Sequence, residues 1–483
     1  MDLHVSLVGR RDLTGEIYRQ LRRGILDGRL RPGEKLPPSR ELAQRLSVAR
    51  TTVTVAYDRL TGEGFVTSKV GAGTFVSDWT TSTGHATRRT RRADSSLRPR
   101  PIWDAIPVPS VFDRPADFEF RTGVPDARLF PYETWRRLVA HELRGHAVGA
   151  GLYADPAGHA GLRGAIVRHL GRSRAVLATA DDVTVTNGTQ QAVDIIGRVL
   201  LSPGDRVAIE DPGYPPPRHL FESLGARVAG VPVDDEGLVV EAIPRGTRLV
   251  YVTPSHQFPL GLSMSLARRM ALLAWVERHN AAVVEDDYDS EFRFGGRPIE
   301  PLQTLDTGGR VIYVGSFSKT TLATLRLGFL VTPPALRRAV RVAKYVTDWH
   351  TTLPIQGAMA RFIDQGWLAR HTRKMRSTYQ RRHQQVVATI TERFADRLEV
   401  VPSTAGLHVC ALAPSLPVGT IAACVRRASA AGVEALPLSM FAVDEPPRAG
   451  LVLGYGAIPT ERIEEGLFRL RAAFDEVMAD APS

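Results

Sequence analysis

The sequence predicts a two-part chain: a small helical domain closed by a β-hairpin, then a large α/β domain built on a mostly parallel sheet. Residues 11–77 carry apolar side chains at helical spacing. Residues 78–117 are rich in Thr, Ser, Arg and Pro without an apolar period, which is typical of a linker. From Phe118 onward, short β-branched runs alternate with longer amphipathic segments, as in βαβ units. The second domain is predicted to cover residues 118–478.

The composition excludes several classes of protein. The 483 residues are 43% hydrophobic and 23% charged, and the only two cysteines, Cys410 and Cys424, cannot form a disulfide framework or a four-ligand zinc site. No apolar run reaches the ~18 residues of a membrane span, and Met1 opens no signal peptide, so a soluble, cytoplasmic protein is expected. The net charge is +11, and residues 1–77 hold 13 Lys and Arg against 8 Asp and Glu. Such charge favours a nucleic-acid binder, although an enzyme from an Arg-rich proteome stays possible.

Three helices and a hairpin are predicted within residues 11–77. A four-residue apolar spacing gives the first helix one buried face. Ser39 is a candidate cap for the second helix, and a turn at residues 47–49 leads into the third, which makes a helix-turn-helix. Two short strands, at residues 65–67 and 74–76, form a hairpin of the kind called a wing. The side chains expected to face inward are Leu13, Ile17, Leu21, Ile25, Leu42, Ala43, Leu46, Val53, Ala56, Tyr57 and Leu60.

The third helix carries the candidate base contacts. In a helix-turn-helix, the N-terminal end of the second helix of the motif meets base edges in the major groove. Arg50, Thr51 and Thr52 occupy that end, and Arg50 suits a guanine edge. Arg40 starts the preceding helix and is better placed for phosphate. The wing adds three candidates for the backbone or minor groove: Lys69, Gly71 and Gly73. The alternative is that these are ordinary surface residues.

Residues 11–77 resemble a winged helix of the GntR type. The resemblance is carried by LPPSRELA at residues 36–43, ARTTV at 49–53 and GAGTFV at 71–76. It implies a double-stranded DNA operator as partner. Ala49 departs from the family, which often has a Ser there, and a possible phosphate contact is lost with it.

The second domain contains a lysine in a setting suited to an aldehyde cofactor. Lys319 ends the run GSFSK after the predicted strand 311–314, and a lysine amine can form a Schiff base. Ser316, Ser318 and Arg326 nearby offer donors to a phosphate. By itself the motif is weak, because most such lysines are surface charges.

Three other strand ends strengthen this interpretation. Residues 187–191 open a helix after strand 183–185, where backbone N–H groups form an anion site. Asp286 follows strand 281–284 and could hold a protonated pyridine nitrogen, whereas Asp287 and Asp289 are expected to be solvated. After strand 206–209, an aromatic residue could stack on a flat ring: Tyr214.

Residues 118–478 resemble fold-type I aminotransferases that use pyridoxal 5'-phosphate (PLP). TPSHQFP at 253–259, EDDYDSEF at 285–292 and GSFSK at 315–319 are similar to the MocR branch, which joins a GntR winged helix to an aminotransferase-like domain. The resemblance implies a head-to-tail homodimer in which each winged helix lies on the partner's second domain. No catalytic or metal-ligating residue is assigned.

The resemblance also implies a role for individual residues. Lys319 is the lysine of the Schiff base with PLP, and Asp286 pairs with the pyridine nitrogen. Tyr288 would lie near the phenolic oxygen, while Tyr214 would stack on the ring. The phosphate would be held by Gly188, Thr189, Ser316, Ser318 and Arg326. His256 beside the cofactor could act as an acid or base, but a positioning role is favoured.

The chain differs from catalytic aminotransferases at the position that binds the substrate carboxylate. Aminotransferases bind the substrate carboxylate with an Arg in a run resembling RLSF, where this chain has LVLGY at 451–455 with Val452 in the Arg position. Arg448 is close in sequence, but the sequence does not fix its direction, and residues 215–217 after the stacking tyrosine are all Pro. The leading prediction is therefore a regulator that responds to PLP itself, similar to the PdxR type that controls vitamin B6 synthesis genes. The alternatives are a regulator with fixed PLP that senses an amino acid or amine such as γ-aminobutyrate, and an aminotransferase with a DNA-binding arm.

Overall fold

The chain divides into two compact units between Arg98 and Pro99. Neither unit contains, in its described part, a helix long and apolar enough to cross a membrane. The computed structural model describes residues 12–69, 71–77, 98–108, 116–144, 151–295, 300–444 and 448–480.

The N-terminal unit has the three helices and the hairpin that the sequence predicts. The hairpin is antiparallel, with Val66 opposite Val76. Of the side chains expected inward, Leu13 and Leu46 are half-buried and the others are buried, so one small core holds the unit together. The elements are α1 (Leu13–Leu26), α2 (Ser39–Leu46), α3 (Arg50–Gly62), β1 (Val66–Lys69) and β2 (Gly73–Val76).

The predicted cap of the second helix is wrong. Pro38 is the N-cap residue, and no side chain caps α2. Ser39 is the first helical residue instead, and its hydroxyl lies 3.5 Å from Nε of Arg50. A proline preceding the helix fixes φ near −53° and ends the extended segment there, so the cap position falls one residue earlier than expected.

The C-terminal unit is built on an eight-stranded sheet in the order β4-β11-β10-β9-β8-β5-β6-β7. The strands from β10 to β6 run parallel, whereas β11 is antiparallel to both of its neighbours. The strands predicted at residues 183–185, 206–209, 281–284 and 311–314 are all present, and the mostly parallel sheet is confirmed. The strands are β4 (Val183–Thr186), β5 (Arg206–Asp211), β6 (Arg227–Asp234), β7 (Gly237–Leu238), β8 (Thr247–Val252), β9 (Ala282–Asp287), β10 (Val311–Ser316) and β11 (Gly328–Val331).

A smaller sheet follows in the chain, in the order β12-β13-β16-β15. Two further short strands, β3 (Phe118–Glu119) and β14 (Val433–Glu434), pair with each other in parallel. The strands of the smaller sheet are β12 (Glu399–Val400), β13 (His408–Leu412), β15 (Leu436–Pro437) and β16 (Gly450–Gly454).

Helices cover the sheets and complete the cores of this unit. They are α4 (Ile102–Ala105), α5 (Tyr132–Glu142), α6 (Ala160–Ser173), α7 (Gly188–Leu200), α8 (Pro215–Ser223), α9 (Leu266–Arg278), α10 (Leu302–Leu305), α11 (Arg337–Asp348), α12 (Leu353–Asp364), α13 (Trp367–Arg393), α14 (Val418–Ala430) and α15 (Ile463–Ala479). The carboxyl ends of the parallel strands meet at one edge of the sheet, which is where ligands bind in such folds.

Most of the predicted linker, residues 78–117, lies outside the described residues. Its described parts are residues 98–108, which include the short helix α4, and residues 116–117. Arg100 Nη2 donates to the carbonyl of Ser223 at 2.9 Å, so this segment contacts the end of α8.

Candidate functional site

A cavity of about 200 Å³ lies at the carboxyl edge of the large sheet. Eight of the ten predicted cofactor residues line it: Lys319, Asp286, Tyr288, Tyr214, Thr189, Ser316, Ser318 and Arg326. Gly188 and His256 are not among the lining residues. The loops after several strands therefore bring the predicted side chains together in one place.

Lys319 presents its amino group to this cavity. Its Nζ donates to the carbonyl of Gly123 at 2.7 Å. Desolvation lowers the pKa of Lys319, while the carboxylates of Asp289 and Asp286 oppose that change. A lowered pKa increases the fraction of neutral amine, which is the nucleophilic form.

Asp286 has one carboxylate oxygen satisfied and one not. The hydroxyl of Tyr251 donates to Oδ2 at 2.5 Å, whereas Oδ1 is buried without a hydrogen-bond partner among the described residues. Burial raises the pKa of Asp286 to about 7. A protonated ring nitrogen placed against Oδ1 would satisfy this oxygen and stabilise the carboxylate.

The opposite end of the cavity is built for an anion. Helix α7 begins at Gly188, whose φ is +75°, and Thr189 follows in its first turn. Nη2 of Arg326 donates to the carbonyl of Asn187 at 3.1 Å, so the guanidinium lies against the start of this helix. A Cβ at Gly188 would come within 3.0 Å of Arg326, so glycine allows the close approach. Helix N–H groups, a guanidinium and hydroxyls together favour a phosphate.

Two aromatic side chains form one wall. Tyr214 is the N-cap residue of α8 and meets Phe258 edge to face, with ring centroids 5.5 Å apart. Tyr288 donates its hydroxyl to the carbonyl of His256 at 2.9 Å. This wall offers a face to a flat ring and a hydroxyl near its edge.

His256 lies behind the aromatic wall and contacts two side chains that line the cavity, Tyr288 and Asp289. Its Nδ1 is 3.0 Å from Oδ2 of Asp289 and 3.0 Å from the hydroxyl of Tyr288, and its Nε2 is 3.2 Å from Oγ of Ser403. The ring is buried and does not line the cavity. These contacts support the positioning role.

The prediction that Asp287 and Asp289 are solvated is wrong, because both are buried. Oδ2 of Asp287 accepts from Arg174 Nε at 2.8 Å, from the Tyr313 hydroxyl at 2.6 Å and from Ser290 Oγ at 3.0 Å. Strand β9 extends to Asp287, so this carboxylate enters the interior and its charge is balanced there by Arg174.

Sequence reasoning missed His408, a cavity residue on β13. The ring is buried, and Nε2 lies 3.1 Å from the carbonyl of Pro259. No local sequence pattern singled out His408. Two residues earlier, Gly406 has a φ of +87°, and a Cβ there would lie 1.9 Å from the ring of His256. Polar atoms of His256, Asp289 and His408 lie within 4.8 Å of one another, but both nitrogens of His256 are already in contact with protein partners.

Among the lining residues that the structure describes, Arg326 is the one arginine. Val452 on β16 is buried in an apolar cluster with Cys410 and Phe258. Arg448 is exposed and does not line the cavity.

In the N-terminal unit, the predicted DNA contacts lie on the surface. Arg40, Arg50 and Thr51 are exposed and Thr52 is half-buried. Neither arginine forms an ion pair with a described residue, whereas Arg45 of the same motif pairs with Glu41. The guanidinium of Arg50 is exposed at the start of α3 and contacts the Ser39 hydroxyl, so it can reach a base or phosphate oxygen.

The wing presents Lys69, Gly71 and Gly73, all exposed. Nζ of Lys69 lies 5.8 Å from the ring centroid of Phe75, and Lys35 approaches the same ring at 5.8 Å. Gly71 and Gly73 have φ values of +77° and +116°, which favour glycine in this turn.

Comparisons with known proteins agree with both units. Residues 13–76 match the gntR family of bacterial regulatory proteins, and residues 125–435 match aminotransferase class I and II. The chain is 38% identical to the probable rhizopine catabolism regulatory protein MocR of Rhizobium meliloti, over 95% of this chain and 93% of that protein. It is 30% identical to the pyridoxine biosynthesis transcriptional regulator PdxR of Corynebacterium glutamicum, over 92% and 91%. A solved Pyrococcus horikoshii kynurenine aminotransferase, in complex with PMP, is similar with a TM-score of 0.70 and 27% identity, over 81% of this chain and 98% of that chain.

Proposed function

Because the chain belongs to the MocR subfamily of GntR-type transcriptional regulators, with an aminotransferase class I and II domain, we propose that it binds PLP at Lys319 and controls DNA binding through it. The observation that carries this proposal is one cavity holding a lysine amine, an unsatisfied buried carboxylate oxygen and a helix N-terminus with an arginine.

Each part of PLP has a fitting partner in this cavity. Nζ of Lys319 would bind the aldehyde carbon, and Oδ1 of Asp286 would accept from the protonated ring nitrogen. The ring would lie against Tyr214, with Tyr288 near its phenolic oxygen. Bound PLP supplies an electrophilic carbon that reacts with amines. The phosphate would be held by the start of α7 and by Thr189, Ser316, Ser318 and Arg326.

PLP itself is the proposed signal, and vitamin B6 synthesis genes are the proposed targets. The cavity supplies partners for PLP, whereas Val452 occupies the position at which an aminotransferase binds a substrate carboxylate. The similarity to a pyridoxine biosynthesis regulator supports the same assignment.

A second candidate is a regulator that holds PLP permanently and senses a small amine or amino acid. The higher identity to MocR, a probable regulator of rhizopine catabolism, favours this candidate. Both candidates use the same cavity and differ in which molecule changes the affinity for DNA.

Regulation would follow from differential affinity. A ligand that binds one arrangement of the protein more tightly shifts the population toward it. In the proposed head-to-tail homodimer, such a shift would change the spacing at which two winged helices meet two half-sites of an operator.

The test is DNA binding to the protein's own upstream region, with and without PLP, while visible absorbance is recorded. A visible band that appears with PLP together with a changed affinity for DNA is the expected result. A band without any change in DNA binding would indicate that an amine, and not PLP, is the signal. Absence of a band, or PLP-dependent regulation that persists in Lys319→Ala, would contradict the role of Lys319.

A further inference from the structure

One side of the cavity has hydrogen-bond acceptors that the binding of PLP does not use. We refer to Asp289 and His408 as the acceptor pair. Both are buried, both line the cavity, and they come from different elements: the segment after β9 and the start of β13. Neither is assigned to the ring, the phosphate or the aldehyde.

Asp289 offers a carboxylate oxygen without a donor. Its Oδ2 is engaged by His256 Nδ1 at 3.0 Å, but Oδ1 is buried with no hydrogen-bond partner among the described residues. The residue is 1% exposed, so bulk water does not solvate this oxygen. Buried acceptors are almost always paired, which favours a donor from a ligand or a bound water at this point.

His408 offers a second acceptor. Because Nε2 contacts a carbonyl oxygen, that of Pro259, this nitrogen must carry the proton. Burial and the neighbouring His256 hold the pKa of His408 well below its usual range, so the ring is neutral. In a neutral imidazole with the proton on Nε2, Nδ1 can only accept.

This side of the cavity offers no guanidinium to a carboxylate among the described lining residues. Among the described lining residues the cations are Lys319, which is reserved for PLP, and Arg326 at the phosphate end. Val452 is buried in an apolar cluster, where an arginine would have offered a carboxylate its partner. A ligand carboxylate here would gain no hydrogen bond from the free oxygen of Asp289, because a carboxylate oxygen only accepts, and it would lie next to a like charge.

We propose that the PLP-loaded cavity selects small amines whose second polar group is an ammonium or a hydroxyl, and discriminates against those with a carboxylate in that place. This inference rests on the proposed binding of PLP at Lys319. The donor of the ligand would satisfy Oδ1 of Asp289, and a hydroxyl or ammonium hydrogen would also reach Nδ1 of His408. PLP would occupy much of this cavity of about 200 Å³, so only a small ligand would fit beside it.

The experiment uses the full-length protein loaded with PLP and three ligands of equal chain length: 1,4-diaminobutane, 4-amino-1-butanol and 4-aminobutyrate. Binding is measured by titration calorimetry and by the change in visible absorbance. We expect the diamine and the amino alcohol to bind at least about tenfold more tightly than 4-aminobutyrate, a difference of about 1.4 kcal/mol.

Asp289→Asn tests the assignment, because it removes the charge and keeps the shape. We expect the preference for the diamine over 4-aminobutyrate to fall about tenfold in this variant. The ratio of affinities is the readout, since a general disturbance of the cavity would change all three ligands alike. The matched control is Asp235→Asn, which removes one charge from an exposed residue that does not line the cavity.

Three outcomes would overturn the proposal. They are a preference for 4-aminobutyrate in the unaltered protein, an equal loss for all three ligands in Asp289→Asn, and no binding of any of them to the loaded protein, which would leave a bound water at the acceptor pair. A failure of the proposed PLP binding can be told apart from a failure of this proposal. In that case the visible band would be missing when PLP is added, before any amine is tested.

Discussion

Charged side chains are exposed at the predicted DNA contacts of the N-terminal unit, whereas they are buried around the cavity of the C-terminal unit. On the N-terminal unit, Arg40, Arg50 and Lys69 are exposed and form no ion pair with a described residue. Around the cavity, Asp286 and Asp287 are buried and interlocked with other side chains. We therefore expect the predicted DNA contacts to change with little effect on folding, whereas changes at the cavity would affect stability and the proposed ligand binding together.

The largest expected loss of stability comes from a substitution in the buried hydrogen-bond network around Asp287. Asp287→Ala leaves the guanidinium of Arg174 and the hydroxyl of Tyr313 without their shared acceptor. Removing one partner of a buried pair costs about 3–5 kcal/mol, and we expect the free energy of unfolding of the C-terminal unit to fall by that amount. Urea denaturation measures it, with Arg50→Ala as the surface control. A change below 1 kcal/mol would mean that Asp287 is effectively solvated.

The next prediction concerns pH in the cofactor-free protein. The folded pKa of Asp286 is about 7 against an ordinary value of 3.8, so the folded state keeps a proton that the unfolded state has lost. Stability is therefore expected to fall as the pH rises from about 4 to 7, by up to about 4 kcal/mol. Glu210 and Glu285, whose pKa values burial raises to about 7, add to the same trend.

Asp286→Asn isolates the contribution of Asp286. We expect a shallower loss of stability between pH 5 and 7, together with weaker binding of PLP because the partner of the ring nitrogen is gone. Unfolding curves at several pH values measure the first effect, and absorbance titrations the second. An unchanged pH profile would show that the carboxylate of Asp286 is ionised throughout this range.

A smaller effect is expected at the start of α3. Arg50→Ala should cost about 1–3 kcal/mol on the cognate operator and relax the sequence preference. Competition binding with operator variants measures both. Equal weakening on every sequence would instead identify Arg50 as a phosphate contact.

The smallest effect is expected in the wing. Lys69→Ala should weaken binding to cognate and unrelated DNA alike and reduce the slope of log affinity against log salt by about 1. Affinities at four salt concentrations give the slope. A loss confined to the cognate site would mean that Lys69 contacts base edges.

Local patterns predicted the N-terminal unit well because its helices are stabilised by residues close in sequence. The spacing from Leu13 to Ile25 was enough to place α1, whereas the cap of α2 was misjudged because Pro38 changes where the helix starts. Predicted cavity residues came together because they follow parallel strands, whose ends meet by topology.

The rest of the cavity depends on contacts that no local pattern reveals. Asp287 is held by Arg174, 113 residues earlier in the chain, and His408 bonds to Pro259, 149 residues earlier. Motif composition alone therefore made Asp287 and Asp289 look solvated. It also gave no reason to select His408.

The division between Arg98 and Pro99 has a consequence for how the protein is made. The N-terminal unit has its own core and is synthesised first, and domains generally fold as units in the order in which they leave the ribosome. We expect a nascent chain interrupted after residue 98 to contain the folded winged helix without the aminotransferase-like domain. Such a truncated product would carry the predicted DNA contacts without the proposed PLP site, so we expect that any DNA binding it retains would not respond to PLP.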